Sequence, residues 1–360
     1  MRIAVITRCL AAGRSGENFD FSLATLSRIT RQHPDHQFIF FCDQAHDAAV
    51  DFSANVTPVV LGSPARNALL LKWWYDVKLP AALQKMKADI LVCMDGITSL
   101  NTSLPQVLVM REPMNKRNGP KHIGKAAIIV TLSEFAAQEI KKQYPAMEKI
   151  QSVGAAAHEL FQPAGWQEKE QTKETFTGGR EYFLYTSLAG ENPALLNILK
   201  AFSMFKKRQM SNMQLLCLSS GLPTKGFREK LMTYKYRDDV QIITGPGRKD
   251  LARLTAGSYA ILYPGPGGFF AAPVAEAMQC GIPCITSREG SIPELGGHAM
   301  IVADFNNPED IAAQLKQIFK DENLRSQLVA NALEQSQNYT WEKTADAIWD
   351  IIKTIAAGQA

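Results

Sequence analysis

Glycines and a carboxylate stand close together in residues 265–276, which read GPGGFFAAPVAE. Gly265, Gly267 and Gly268 suit a tight turn from a strand into a helix, because glycine adopts backbone conformations that other residues avoid. Backbone N–H groups at a helix N-terminus attract anions, so this turn is predicted to bind an anionic group such as phosphate. Glu276 lies on the predicted helix. A second interpretation stays open, in which the glycines only turn the chain and Glu276 is a solvated surface acid.

Charged residues also follow apolar runs in the first half of the chain. Arg111 and Glu112 come directly after the run QVLVM, where they either contribute to an active site or form a solvated pair that closes a loop. Arg14, Ser15 and Gly16 lie in the loop AAGRSGEN, which offers a cation, a hydroxyl group and backbone donors. We expect this loop to contact a phosphate or a polyol.

Short β-branched or aromatic runs alternate along the chain with segments of helical periodicity. The first half has IAVIT, FIFFC, ILVCM, QVLVM and AIIVTL, and the second half has YFLYTSL, MQLLCLSS, VQIITG, AILYPG, IPCITS and MIVADF. This alternation predicts βαβ units, and hence parallel sheets with helices on both faces. The expected class is α/β, with two doubly wound sheets whose ligands bind outside the carboxyl ends of the strands.

The length of 360 residues exceeds what one hydrophobic core usually serves, so two domains are predicted. Residues 1–163 form the expected first domain and residues 181–339 the second. Between them, residues 164–180 read AGWQEKEQTKETFTGGR and lack an apolar period, which favours a linker. The segment TWEKTADAIWDIIKTI within residues 340–360 has apolar residues at helical spacing, and this helix is predicted to return to the first domain.

The composition excludes several classes of protein. The net charge is only +4, which argues against a dedicated nucleic-acid binder. Six scattered cysteines in a long chain are typical of reduced, packed thiols, and the C-x3-C spacing of Cys280 and Cys284 lacks a second ligand pair for zinc. The apolar run near the N-terminus is too short for a signal peptide, and no stretch approaches 18 apolar residues. We therefore expect a cytoplasmic protein that binds no metal.

Longer segments carry a resemblance to a known family. The stretch PGGFFAAPVAEAMQCGIPCITSREGSIPEL is similar to the nucleotide-binding half of the family 4 (group 1) retaining glycosyltransferases, which have the GT-B fold. The segments IVTLSEFAAQEIKKQYP, VGAAAHELFQP, KGFREKL, VQIITG and NYTWEKTADAIWDIIK agree in order. The resemblance implies two Rossmann-like domains facing each other across a cleft. It also implies a nucleotide-diphosphate sugar as donor substrate and no cofactor.

The resemblance assigns roles to particular residues. The family pattern Glu-Gly-Phe-Gly-Leu-Pro, followed after two residues by a second Glu, places that second, ribose-binding Glu at Glu276, its proline at Pro273 and its phenylalanine at Phe270. The first Glu, which lies near the donor sugar, is replaced by Gly268. Phe269 and Val274 belong to the same donor-binding segment.

The family also places an Arg and a Lys before an Asn to neutralise the diphosphate, whereas this chain has Glu191 before Asn192. Backbone donors or other cations would have to substitute. The candidates are Arg14, Lys225, and Arg248 with Lys249 after the turn that contains Gly245 and Gly247. Arg111 and Glu112 stand where the family often has His-Asp, so the resemblance makes them the catalytic candidates.

Two functions follow from the resemblance. The first is transfer of a sugar, with retention and without a metal ion, to a carbohydrate or glycolipid acceptor in envelope polysaccharide or glycolipid synthesis. The second is a noncatalytic descendant that binds a nucleotide, a sugar or a protein partner, which the missing Glu and cations favour. Some relatives rest on a membrane surface, so peripheral membrane contact is a further expectation.

Overall fold

The computed structural model describes residues 1–14, 16–47, 50–62, 67–114, 119–186, 193–222, 224–265 and 268–358. The chain divides into two compact units. Unit 1 consists of Met1–Ala155 and Thr340–Ala360, and unit 2 consists of Ala156–Tyr339. Among the described helices, none is both long and apolar enough to cross a lipid bilayer.

Unit 1 contains a seven-stranded parallel sheet. Its strands are β1 (Arg2–Ile6), β2 (Gln37–Cys42), β3 (Val56–Val60), β4 (Ile90–Cys93), β5 (Gln106–Val109), β6 (Ile128–Thr131) and β7 (Ile150–Ser152). The strand order is β3-β2-β1-β4-β5-β6-β7, and in the central strand Ile3 pairs with both Phe38 and Ile90. The central strands are almost entirely buried because both faces of the sheet are covered, which explains their continuous apolar runs. The strand order reverses between β1 and β4.

The helices of unit 1 begin at local sequence signals. They are α1 (Glu17–Gln32), α2 (Ala68–Trp73), α3 (Leu79–Met86), α4 (Gly119–Ile123), α5 (Glu134–Gln143) and α14 (Trp341–Ala356), with a 3-10 turn at Arg8–Leu10. Ser133 caps α5 by accepting a hydrogen bond from the N–H of Ala136 at 3.1 Å, a role for which serine is well suited. A π-helical turn, Trp74–Lys78, joins α2 directly to α3.

The C-terminal helix α14 packs within unit 1. Its inward face buries Ala345, Ile348 and Ile352, as the sequence predicts. Trp349 is buried with them, whereas Trp341, which was predicted on the same face, is half-buried. The ring of Trp349 stacks on His33, which directly follows α1, at 3.8 Å between centroids. Polar contacts add to this packing, because Thr340 caps α14 and Arg28 pairs with Glu342 at 2.7 Å. The last helix therefore completes the core of the unit in which the chain begins.

Unit 2 contains a six-stranded parallel sheet in the order β10-β9-β8-β11-β12-β13. Its strands are β8 (Tyr182–Tyr185), β9 (Gln214–Ser219), β10 (Val240–Thr244), β11 (Ala260–Tyr263), β12 (Cys284–Thr286) and β13 (Met300–Val302). Its helices are α6 (Trp166–Thr177), α7 (Pro193–Gln209), α8 (Lys225–Met232), α9 (Arg248–Gly257), α10 (Ala272–Gln279), α11 (Ile292–Gly296), α12 (Pro308–Lys320) and α13 (Glu322–Ser336). The strand order reverses between β8 and β11, so both units have the doubly wound α/β topology predicted from the sequence.

Residues 164–180 differ from the predicted linker, because most of them form α6. Glu168 accepts a hydrogen bond from the N–H of Gly165 at the start of this helix, and Gly178 ends it in a left-handed conformation. Lys173 is buried and pairs with both Glu170 and Glu181. Because these residues are charged, the segment has no apolar period from which a helix could be predicted. Lys and Glu nevertheless favour helices, and their ion pairs stabilise this one.

The boundary between the units also lies earlier than the predicted end of the first domain at residue 163. Ala157 and Phe161 are buried in the hydrophobic core of unit 2. The carbonyl oxygen of Phe161 accepts a hydrogen bond from the side-chain amide of Gln279 at 2.7 Å. These contacts attach the segment to unit 2 before α6 begins.

Candidate functional site

The glycine turn of unit 2 follows β11 and leads into α10. Gly268 has a φ of +49° and is exposed, and a Cβ atom built on it would meet nothing within 4 Å. Pro273 occupies the first turn of α10, where its missing N–H costs no hydrogen bond. Gly265, with a φ of +83°, and Gly268 both have the left-handed conformation that suits the predicted turn. Gly267 lies outside the described residues.

The side chains around this turn divide into packing residues and accessible residues. Phe269 is 6% exposed and Val274 is fully buried, so both side chains pack in the core. Their part in donor binding stays a prediction. Phe270 and Glu276 are half-buried, and Glu276 lies on the second turn of α10. Glu276 is therefore the carboxylate of this segment that a ligand can still reach.

The other predicted donor-binding residues lie at the same edge of the sheet. Gly245 follows β10 with a φ of +55°, and Gly247 is the N-cap of α9. Arg248 is the first residue of α9 and is half-buried. Lys225 begins α8, but its side chain is 89% exposed and stands 3.8 Å from Glu229, so nothing holds it over the strand ends. Arg248 is thus the better-placed cation of the two.

A pocket of 580 Å³ opens at the carboxyl ends of β11, β12 and β13. Pro264, Gly265, Ser287, Arg288, Asp304 and Asn306 are among its lining residues. Arg288 is exposed, follows β12 after Ser287 and lines the same pocket as Gly265 of the glycine turn. Arg288 was not among the residues predicted from the sequence, although it follows an apolar segment, as Arg111 does.

Arg111 lies at the carboxyl end of β5 in unit 1 and is held in place by α1. Its Nη1 donates a hydrogen bond to the carbonyl oxygen of Glu17 at 2.8 Å, and its guanidinium carbon lies 5.3 Å from the centroid of the Phe21 ring. Burial lowers the pKa of Arg111 from its ordinary value. Glu112 is exposed beside it. The two residues line the same pocket, but only Arg111 is fixed by contacts that the structure details.

This pocket of unit 1 has a volume of 300 Å³ and lies where β4 and β5 end. Its lining residues include Asn18, Asp95, Arg111, Glu112, Met114 and His122. Asp95 and His122 are polar groups that the sequence analysis missed.

Asp95 belongs to a buried network at the point where the strand order reverses. Arg8, just after β1, lies 3.2 Å from a carboxylate oxygen of Asp43 and 3.3 Å from one of Asp95. Tyr75 donates a hydrogen bond to the same oxygen of Asp95. Burial raises the pKa of Asp95, and the nearby charge of Arg8 opposes this shift. The network fixes one oxygen of Asp95, while its Oδ1 has no hydrogen-bond partner within the described part of the chain.

Arg14 belongs to the same network, which changes its expected role. Its Nη2 lies 3.3 Å from the Asp43 carboxylate that also holds Arg8. Arg14 therefore forms an ion pair within unit 1. The negative charge of Asp43 offsets the positive charge of Arg14, which was expected to contact a phosphate. Gly16 precedes α1 with a φ of +101°, and Ser15 lies outside the described residues.

His122 of α4 has a defined protonation pattern. Its Nδ1 lies 3.0 Å from the carbonyl oxygen of Thr98, and a carbonyl oxygen can only accept a hydrogen bond. In the neutral ring Nδ1 therefore carries the proton, which leaves Nε2 as a hydrogen-bond acceptor. Burial lowers the pKa of His122, so the neutral ring predominates near pH 7. Together with Asp95, His122 gives the pocket two acceptors that suit hydroxyl groups.

Two predicted features cannot be placed. Glu191 and Asn192, where the resemblance expects cations before an Asn, lie outside the described residues.

Within the described part of the chain, no group of three or more His, Cys, Asp or Glu side chains has the arrangement of a metal site. All six cysteines are buried and form no disulfide.

Comparison with known proteins finds a family that part of this chain matches. The family described as glycosyl transferases group 1 matches residues 167–335. A curated relative, the O-antigen chain mannosyltransferase B of Escherichia coli, is 27% identical over 235 residues, which cover 61% of this chain and 58% of the relative. The match thus spans little more than half the length of that protein.

Solved structures share the fold over almost the whole chain. A glycosyltransferase from Rickettsia africae has a TM-score of 0.76 at 14% identity and covers 98% of each chain. The Anabaena protein HepE, solved in complex with UDP and glucose, has a TM-score of 0.69 at 13% identity and covers 98% of this chain and 100% of its own. At these identities the likeness shows the fold alone.

Proposed function

We propose that this chain, which has the GT-B fold and whose residues 167–335 match the group 1 glycosyl transferases, transfers a sugar from a nucleotide-diphosphate sugar to an acceptor hydroxyl group with retention. One observation carries the proposal. The glycine turn and the half-buried Glu276 lie at the carboxyl edge of the unit 2 sheet, inside the part of the chain that matches the family. Doubly wound sheets bind nucleotides at this edge.

The donor is proposed to bind to unit 2 through Glu276 and the cations at the strand ends. Glu276 would accept hydrogen bonds from the ribose hydroxyl groups. Arg248 and Arg288, with the N–H groups at the start of α9, would offset the charge that builds on the diphosphate as the glycosidic bond breaks. HepE binds UDP and glucose, which supports a nucleotide sugar as the ligand class.

The acceptor is proposed to bind in the 300 Å³ pocket of unit 1. Asp95 and His122 would accept hydrogen bonds from its hydroxyl groups, and Arg111 would donate to an oxygen of the acceptor. In the transfer step the bond between the anomeric carbon and the diphosphate oxygen breaks while the acceptor oxygen bonds to the same face of that carbon. The acceptor proton passes to the departing phosphate oxygen, so atoms and charge balance. This scheme requires no metal ion.

The acceptor class is proposed to be a carbohydrate or glycolipid of the cell envelope. The Escherichia coli relative is a mannosyltransferase of the O-antigen chain, which makes a mannose donor the first to test. A cytoplasmic site of action would give such an enzyme access to nucleotide sugars.

A panel of donors tests the proposal. The purified chain is incubated with UDP-glucose and with nucleotide-diphosphate mannoses, and the released nucleotide is quantified by chromatography. Consumption of one donor is expected, with retention confirmed by NMR of the anomeric proton of the product. Glu276→Ala should abolish this activity, and Glu334→Ala, an exposed acid on α13, should not.

A noncatalytic binding protein is the second candidate, and Gly268 favours it. At this position no side chain reaches toward a donor sugar, whereas the resembling family has a carboxylate. Nucleotide binding by calorimetry without consumption of any donor would support this second function. If the chain neither binds a nucleotide nor consumes a donor, both candidate functions are overturned.

A further inference from the structure

Tyr75 ties the π-helical turn Trp74–Lys78 to the polar wall of the unit 1 pocket. Its side chain is buried, and its hydroxyl group donates a hydrogen bond to Oδ2 of Asp95. Asp95 follows the end of β4 by two residues and lines the pocket, and its side chain is 14% exposed. Single π-helical turns within helices frequently occur at functional sites. A buried side chain of this turn thus contacts a carboxylate that a ligand in the pocket can reach.

Other contacts hold the π-helical turn against the loop that follows β4. Oδ1 of Asp76 accepts a hydrogen bond from the N–H of Leu100 at 2.9 Å. The carbonyl oxygen of Asp76 accepts one from the side-chain amide of Asn101, also at 2.9 Å. Because these contacts do not involve the Tyr75 hydroxyl group, the turn and the loop should keep their places when that hydroxyl group is removed.

Tyr75 and Arg8 meet at the same oxygen of Asp95. Nη1 of Arg8 lies 3.3 Å from Oδ2, to which Tyr75 also donates, and Nε of Arg8 is held by Asp43 at 3.2 Å. Oδ1 of Asp95 is buried and has no hydrogen-bond partner in the part of the chain that the structure describes. A buried carboxylate oxygen without a donor is unfavourable. Oδ1 is therefore the atom at which a hydroxyl group of a ligand would stabilise this carboxylate.

Tyr182 of β8 is the counterpart of Tyr75 in unit 2. It is also buried, and its hydroxyl group donates to the carbonyl oxygen of Leu254 at 2.7 Å. A neutral carbonyl oxygen is thus enough to satisfy a buried phenol. Tyr75 donates to a carboxylate instead, and hydrogen bonds to charged groups are stronger and fix geometry more firmly. The contact of Tyr75 goes beyond what burial of its hydroxyl group requires.

We propose that Tyr75 is a positioning residue, which together with Arg8 fixes the carboxylate of Asp95 for recognition of an acceptor hydroxyl group. Without the Tyr75 hydroxyl group, the carboxylate turns toward Arg8 and pairs with it through both oxygens, a geometry that arginine favours. The pocket then loses an acceptor of hydrogen bonds. The part played by the acceptor rests on the proposed function. The effect of Tyr75 on Asp95 does not depend on transfer.

The titration of Asp95 reports this contact. Burial raises the pKa of Asp95, whereas the charge of Arg8 and the hydrogen bond from Tyr75 lower it. Other charged or titratable groups surround Asp95 from several elements: Cys9 after β1, Asp43 after β2, Cys93 in β4, Arg111 and Glu112 after β5, and His122 on α4. Tyr75→Phe alters none of these groups, so a change in the titration of Asp95 belongs to the lost hydroxyl group.

NMR of the full chain, labelled with ¹³C at the aspartate carboxyl carbon, tests the contact. The Asp95 signal is assigned by its loss in Asp95→Asn and is followed as a function of pH. We expect the pKa of Asp95 to rise in Tyr75→Phe, because a donor to the ionised form is removed. Tyr182→Phe removes the same hydroxyl group in unit 2 and should leave the titration unchanged.

Three outcomes would overturn the positioning of Asp95. The first is the same titration of Asp95 in Tyr75→Phe and in the unaltered chain, and the second is an equal shift in Tyr75→Phe and Tyr182→Phe. The third is a Tyr75→Phe chain that circular dichroism shows to be unfolded, because the hydroxyl group would then serve the stability of unit 1.

Steady-state kinetics test the part played by the acceptor. With methyl α-mannoside as the probe acceptor, Tyr75→Phe should raise the acceptor KM by about tenfold and leave the donor KM unchanged. Tyr182→Phe should change neither value. An unchanged acceptor KM, or an equal rise in both variants, would overturn the role in acceptor recognition. If no donor is consumed while the titration shifts as expected, the proposed function fails and the role of the acceptor with it, whereas the positioning of Asp95 by Tyr75 stands.

Discussion

Replacement of Trp349 by alanine tests whether α14 is part of the core of unit 1. Trp349 is 5% exposed and contacts three aromatic rings, those of His33 at 3.8 Å, His36 at 5.0 Å and Phe38 at 6.3 Å between centroids. A buried tryptophan replaced by alanine loses its transfer free energy and leaves a cavity. We therefore expect the free energy of unfolding to fall by about 3–5 kcal/mol.

The assay is urea unfolding followed by circular dichroism at constant temperature. With a slope of about 2 kcal/mol per molar urea, the loss moves the midpoint of the unit 1 transition down by about 1.5–2.5 M. Trp166→Ala is the matched control, because it makes the same chemical change at a side chain that is 75% exposed, and it should change stability by no more than about 0.5 kcal/mol. Equal midpoints for Trp349→Ala and Trp166→Ala would refute the packing of α14 in unit 1.

Three further predictions follow from the sites and their charges. Glu276→Gln should weaken nucleotide binding in calorimetry by about tenfold or more without changing the melting temperature, since charge-assisted hydrogen bonds contribute about 1.5–3 kcal/mol; unchanged affinity would remove Glu276 from the site. Gly268→Ala should cost about 1–2 kcal/mol of stability because its φ of +49° disfavours a Cβ atom, although the atom has space; an unchanged unfolding midpoint would contradict this strain. Burial lowers the folded-state pKa of His33, His46 and His122 below 6.5, so the unfolded chain binds protons more readily. Stability should be complete above pH 6.5 and fall at lower pH, and a flat profile of melting temperature between pH 7 and 5 would contradict this.

The topology of both units was predictable because each central strand is buried on two faces. Runs such as IAVIT and AILYPG stand out as apolar, and their alternation with helices allows few arrangements other than a doubly wound sheet. Helix α6 was not predictable by the same signal. Its stability depends on Lys173 between Glu170 and Glu181, which are charged partners that carry no apolar period.

The candidate site was predictable only where it depends on local backbone geometry. The glycine turn and the helix that carries Glu276 follow from neighbouring residues, and the structure has both. The network around Asp95 joins residues that are 35 and 87 positions apart in the chain, as the pairs of Arg8 with Asp43 and Asp95 show. Such contacts exist only after the sheet has formed, so neither the engagement of Arg14 nor the role of Asp95 could be inferred from spacing.

Gly268 stands where the resembling family has its first Glu, and its backbone conformation bears on why a glycine is found there. Its φ lies in the left-handed region, where a side chain is disfavoured, yet the space around its Cβ position is empty. A Cβ atom at this position would therefore meet no neighbour, but any side chain would strain the backbone. The strain alone could reduce activity in Gly268→Glu, so the effect of the carboxylate is the difference between Gly268→Glu and Gly268→Ala. If the two variants lose equal activity, the turn requires its backbone conformation. If only the glutamate variant loses activity, the empty space beside Gly268 belongs to the donor sugar.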